Sequence, residues 1–452
     1  MRKIKLKSIG LFSLTCMMVC LNTGLTAKTY IIKNATVYTA TAKGVLHQAN
    51  VVIADGKIMA VSQDSISQES ISNGADSQNV ISPELIQDAQ IIDASGKFIT
   101  PGLCSADTKI GLVEINGVSS TVDWSTKQQG LGASFDISSA INFSSTLIPQ
   151  NRINGLTRAI VRPSASNSIF AGQGAVIALQ SSLDGLIKAK AFQVAVYGAY
   201  GAQKSGGSRA AAMQTIDTAL TEAKYLRQHE SRYLPGFNWA FSQSVADLKA
   251  LYPVLDREVP LIVSVERADD IERMIALAEK HQIKLVVADA GEAWRVASKL
   301  AAAKVPVIIN PLDNLPQFES LAVRIDSATR LYQQGVKLLF KGGGSQSDGG
   351  THNAYLVRQS AGNAVAYGLP KSVAIEAMTI NIAEVFGIEN YGQIEVGMDA
   401  DVVVWDSDPL EVTANPDWVF IQGVEQALVS RATRLRDRYW ELKGNHQQAY
   451  IY

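Results

Sequence analysis

The sequence predicts an α/β chain: a (β/α)8 TIM-like barrel carrying a small composite β-sandwich domain built from its N- and C-terminal segments. Three observations predict it. Residues 100–390 alternate short apolar runs with amphipathic helical stretches, the rhythm of strands joined by crossover helices. That many units in about 290 residues suit a barrel better than an open sheet. The β-rich segments 28–99 and 391–430 are each too short to bury a core, and pairing with each other solves that. At 452 residues, with 47% apolar and 18% charged residues, the chain can fill both cores.

The order of elements starts with a leader. "MRKIKLK" is basic, "SIGLFSLTCMMVCL" is apolar, and "NTGLTA" ends in a small residue before Lys28. Residues 1–27 therefore read as a signal peptide, with a periplasmic destination. The apolar run is shorter than the about 18–20 residues of a spanning helix, so no membrane span is expected after cleavage. "YIIKNATVYT" and "ANVVIADGKIMAVS" follow as strands, the latter a hairpin about Asp55-Gly56. Residues 63–90, rich in Ser, Gln, Asn and Asp, read as a flexible insert. "AQIIDASGKFITPGL" resumes β character, turning at Ser95-Gly96.

In the barrel, "LTRAIVRPS", "GAVIALQ", "FQVAVYGA", "VPLIVSVE", "IKLVVADA", "VPVIINP" and "VKLLFKGG" read as strands. "RAAAMQTIDTALTEAKYLRQHESRY", "DDIERMIALAEKH", "EAWRVASKLAAAK", "AGNAVAYGL" and "KSVAIEAMTINIAEVFG" read as helices. β character returns over 391–430, and 431–452 reads as a helix that frays into a tail.

Net charge is −1, with no basic block in the body, so nucleic-acid binding is not expected. Beyond the leader Cys104 is the single cysteine, which leaves no internal disulfide and reads as a buried core residue.

"NATVYT", "VVIADGKIMAV", "IIDASGKFITPGL" and above all "GQIEVGMDADVVVWDSDPLE" resemble the two halves of the small β domain of the amidohydrolase superfamily, in its imidazolonepropionase-like or dihydroorotase-like part. The resemblance implies hydrolysis of amide-like C–N bonds, often in rings, by water activated on zinc or another divalent metal. It also implies metal ligands at strand ends: HxH on the first strand, a carboxylated Lys or Glu on the fourth, His on the fifth and sixth, Asp on the last. Those places fall here on Asp107 and Lys109, on Ser264, on Ala288 or Asp289, and near Gly342–Gly343, with Asp348 in the loop beyond. No ligand survives in its own place, and none of the five histidines forms HxH or HExxH. No cofactor is therefore predicted, and no metal ligand is assigned.

Strand ends of a barrel converge, which makes Asp107, Lys109 and Asp289 the candidate catalytic residues and Ser264, Glu266 and Lys341 the candidate substrate-binding ones. Asp107 and Lys109 have three readings: an ion pair that fills the metal's place, a metal-free acid/base pair, or a pocket that binds without turnover. His352, in "GGGSQSDGGTHNAY", is a catalytic lid candidate or a loop histidine bonded to local backbone. Arg209 is a carboxylate-binding candidate at a helix start, against a plain cap by Ser208. Trp239 and Phe241 are expected to pack a helix on the barrel. The expected partner is a small-molecule substrate or ligand, with assembly as a homodimer or as a hetero-oligomer with an active relative. The function expected is an exported C–N hydrolase with a remodelled metal site. The alternative is an inactive binding or scaffold protein.

Overall fold

The computed structural model describes residues 28–63, 88–233, 240–343 and 352–440. The leader, most of the 63–90 insert, Trp239, Asp348, His446 and the tail from 441 lie outside them.

Two eight-stranded sheets make up the fold. The first takes strands from both ends of the chain. β1 (Tyr30–Tyr38), β2 (Val45–Ala54), β3 (Lys57–Ser62), β4 (Gln90–Asp93) and β5 (Phe98–Pro101) come from the N-terminal side. β14 (Val402–Trp405), β15 (Pro416–Ile421) and β16 (Val424–Glu425) return from the C-terminal side. The join is β5 to β14, antiparallel, from Phe98 opposite Trp405 to Pro101 opposite Val402. One core serves both segments, with Ile32, Val37, Val51 and Ile99 packing against Val402, Val404 and Phe420. Asp55 and Gly56 both take positive φ, 50° and 78°, as a two-residue hairpin between β2 and β3 requires.

The second sheet is the barrel. Its strands are β6 (Leu103–Thr108), β7 (Leu156–Val161), β8 (Phe170–Ala178), β9 (Leu186–Val196), β10 (Leu261–Val265), β11 (Leu285–Asp289), β12 (Val307–Ile309) and β13 (Leu338–Phe340), neighbours in that order. The amide of Gly342, just past β13, donates to Ser105 Oγ on β6 at 3.3 Å and draws the seam together.

The barrel departs from the expected run of parallel units. β7–β8 and β8–β9 pair antiparallel, while β9 through β13 are parallel. The connections 162–169 and 179–185 are shorter than the dozen or so residues a crossover needs, so the chain must reverse. The stretch "KSVAIEAMTINIAEVFG" is also two helices, Lys371–Glu376 and Ile380–Phe386, interrupted where Thr379 takes φ −137° and ψ −101°.

Buried polar contacts tie the sheets together. Arg158 on β7, 2% exposed, donates from Nε to Asp401 at 2.9 Å and from Nη2 to Asp399 at 2.7 Å, and lies over the Tyr391 ring. The acids of "GMDAD" thus hold a barrel arginine. Trp405 donates from Nε1 to Thr100 Oγ1 at 2.9 Å and packs on Gly155, where an added Cβ would lie 2.3 Å from the indole.

Candidate active site

The C-terminal ends of the strands gather charge of both signs. β6 carries one extra residue between Ser105 and Thr108, opposite Ala159 to Val161 of β7, and this bulge falls at Asp107. Asp107 is 1% exposed, and its Oδ2 lies 3.0 Å from Arg162 Nη2 and 3.7 Å from Lys341 Nζ. Asp289, at the end of β11, bonds Lys341, lies 3.9 Å from Arg162 and takes a bond from Ser264. Lys109 is fully buried, and its ammonium donates to the carbonyl of Arg162 at 2.6 Å.

Of the readings for Asp107 and Lys109, the ion pair between those two is corrected by this geometry. Asp107 pairs with Arg162 and Lys341, because the bulge and the β6–β7 register set it beside the end of the second strand.

The charges hold one another. Burial works against an ionised Asp289, but the positive charges of Lys341 and Arg162 outweigh it and keep the carboxyl well below its usual range. Burial likewise works against the Lys341 ammonium, and Asp289 and Asp107 overcome it and raise the lysine. Glu266, one residue past β10, goes the other way. Burial and then the negative charge of Asp289 push it up to about 7, against the Gly291 amide that donates to its Oε2 at 2.8 Å.

The turn after β11 makes this possible. Asp289 and Ala290 take φ of 70° and 50°, an unusual pair for residues with side chains, and the turn is held by Ala290 N to Val265 O and Glu292 N to Glu266 O. Glu266, Asp289 and Gly291 then line a cleft of about 90 Å³, closed by Asp313, Gln317 and Ser320 of the loop after β12.

Asp107, Lys109, Ser264, Glu266, Asp289 and Lys341 therefore meet around one mouth. Arg209 does not join them. It pairs with Glu319 and, at 3.3 Å, with Asp270, while Ser208 Oγ caps the helix Arg209–Gln228 through the amide of Ala210. Glu319 also accepts from the amide of Ala199 at 2.8 Å, so Arg209 pins the loop after β12 to the barrel. His352 meets Asn151 through its carbonyl oxygen, and its Nδ1 is buried without a hydrogen bond among the described residues. Burial lowers its pKa. Cys104 is fully buried, and burial raises its thiol pKa far above the ordinary value.

Sequence reasoning missed Arg162, the guanidinium between the two aspartates. Arg162 stands one residue past the apolar run of "LTRAIVRPS", the same strand-end place that Glu266 holds on its own strand. It also missed the loop 310–326, whose Asp313 and Glu319 carry no periodic signal.

The donor set does not fit a pair of divalent cations. Among the described residues no three His, Cys, Asp or Glu side chains come together as ligands. A metal needs deprotonated donors. Here Asp107 and Asp289 are already neutralised by an ammonium held charged and by a guanidinium.

A sequence model of the amidohydrolase family matches residues 257–430. Over 165 residues, 36% of this chain, the sequence is 32% identical to the amidohydrolase tasK of Hapsidospora irregularis, and the match spans 16% of that relative's length. In three dimensions the chain is similar to an amidohydrolase from Thermotoga maritima MSB8, with a TM-score of 0.73 at 24% identity over 89% of this chain and 100% of that one. A triazine hydrolase variant shares the fold more distantly, with a TM-score of 0.51 at 14% identity over 91% and 98% of the two chains. The family model matches the second half of the barrel and the strands that return to the first sheet, and along the rest the chain shares the fold of the amidohydrolase from Thermotoga maritima.

Proposed function

We propose that this protein is an exported hydrolase of C–N bonds other than ordinary peptide bonds, acting on a small cyclic amide or dipeptide-like compound without the family's metal pair. The match of residues 257–430 to the amidohydrolase family supports the reaction class. The single observation that carries the metal-free version is Glu266: a carboxyl pushed up to about 7, on the wall of a cleft at the barrel mouth. A general base works best when its pKa lies near the working pH. In this reading ionised Glu266 takes a proton from water as the water oxygen attacks the carbonyl carbon. The protonated carboxyl then returns that proton to the departing nitrogen as the C–N bond breaks. Lys341 and Arg162 supply positive potential toward the oxygen that gains charge. Export is supported by the leader-like composition of residues 1–27.

The test is hydrolysis of hydantoins and dipeptides with and without added zinc. Turnover that zinc does not alter and Glu266→Gln abolishes supports the reading. Turnover that requires zinc overturns it.

A second reading is favoured by a different observation. Asp107, Asp289, Lys341 and Arg162 pair with one another, as in a pocket that binds a ligand or supports an active relative without turnover. Tight binding of a small substrate analogue with no hydrolysis would select it.

A further inference from the structure

The helix Arg431–Trp440 (RATRLRDRYW) carries four arginines and one aspartate, in a chain whose net charge is −1. Its start is fixed to the body: Ser430, 3% exposed, and Thr433 exchange hydrogen bonds, with Ser430 N to Thr433 Oγ1 at 2.8 Å and Thr433 N to Ser430 Oγ at 3.2 Å. Beyond that point none of its side chains is buried.

Its residues are ordered by side. At about 100° per residue, Ala432, Leu435 and Tyr439 fall on one narrow stripe. Arg431 and Arg438 border that stripe on one side and Arg436 on the other. Thr433 and Asp437 lie on the opposite side, and Thr433 is the one half-buried position of the ten, so that side faces the body. The apolar stripe and its bordering arginines face outward, with Leu435 41% and Tyr439 57% exposed. Arg436 is paired with Asp437; among the described residues no carboxylate pairs with Arg431, Arg434 or Arg438.

We infer that this helix lies on an anionic phospholipid surface, with Leu435 and Tyr439 at the headgroup boundary and the arginines that border them on lipid phosphates. A thin apolar stripe flanked by arginines and ending in a tyrosine matches the interfacial helix. No described helix is long and apolar enough to cross a membrane. A second copy of the chain is the poorer occupant, because a two-fold contact sets arginine against arginine. The inference is independent of any catalytic step.

The experiment is co-sedimentation of the purified protein with vesicles of phosphatidylcholine alone or mixed with phosphatidylglycerol. Binding to the mixed vesicles should exceed binding to the neutral ones roughly tenfold or more, and should fall as salt rises from about 0.05 to about 0.5 M. The triple variant Arg431→Glu, Arg434→Glu, Arg438→Glu should bind mixed vesicles no better than neutral ones, with an unchanged thermal midpoint. Tyr439→Ser should weaken binding while keeping its salt dependence. Equal binding to both vesicle types, no binding to either (which would leave the helix to an acidic protein), or full binding by the charge-reversed variant would overturn the inference.

Discussion

Asp107 on the first barrel strand and Arg162 just past the second face each other at 3.0 Å, both side chains buried. Lys341 completes the arrangement from the last strand, 3.7 Å from Asp107 and bonded to Asp289. The mouth of this barrel is an ion-pair lattice, and its consequences can be measured.

Removing one cation should cost more than removing a whole pair. Lys341→Met leaves Asp289 and Asp107 buried and under-compensated, with an expected loss of about 3–5 kcal/mol of folding free energy. Adding Asp289→Asn to that variant should recover part of the loss. Urea unfolding of the single and double variants measures this coupling.

Glu266 sets the sign of one pH dependence. Its folded pKa, about 7, is above its ordinary value of 4.5, so the folded state binds the proton more tightly. Its stabilising contribution is complete below about 4.5 and is lost as pH rises toward about 7, a change of up to about 3 kcal/mol. Glu266→Gln should flatten this part of the stability curve. Asp289 acts oppositely: its lowered pKa gives stability that is present above its ordinary pKa of 3.8 and lost as pH falls below it. Thermal melts from pH 4 to pH 8 read the Glu266 arm directly.

Arg158 should matter as much as any core residue. Arg158→Met strands Asp401, which is 2% exposed, while Asp399 keeps Lys57 at 2.6 Å, and a loss of about 3–5 kcal/mol is expected. Denaturant unfolding checks it, with Lys97→Met at the half-buried Lys97–Asp417 pair near the surface as a control that should cost under about 1 kcal/mol.

Gly155→Ala tests the seat of Trp405. Gly155 has φ of 90°, and the new methyl would meet the indole at 2.3 Å. Overpacking of this kind costs about 1–3 kcal/mol, and the positive φ adds to it. The tryptophan emission of the variant should shift as the indole is displaced.

Much of the arrangement was legible because strand ends announce themselves. Ser264 and Glu266 close "PLIVSVE" and Asp289 closes "KLVVAD", and each apolar run stops where the mouth begins. Both ends of the first sheet were legible because neither could bury Val51 or Val402 alone. The direction of β8 and β9 was not, since a fully buried apolar run reads the same either way and only the lengths of its connections set its sense. Arg162 was missed because its partners, Asp107 and Asp289, lie 55 and 127 positions away in sequence and meet only through barrel closure. The seat of Arg209 was equally hidden, since Glu319 sits on a loop without periodicity.

The most direct test is the metal content of the purified protein, by mass spectrometry after dialysis against zinc and manganese. The ion-pair account predicts far less than one divalent ion per chain, and no rise in thermal midpoint on adding either metal. Two tightly held ions per chain, removed by chelator with loss of stability, would contradict it.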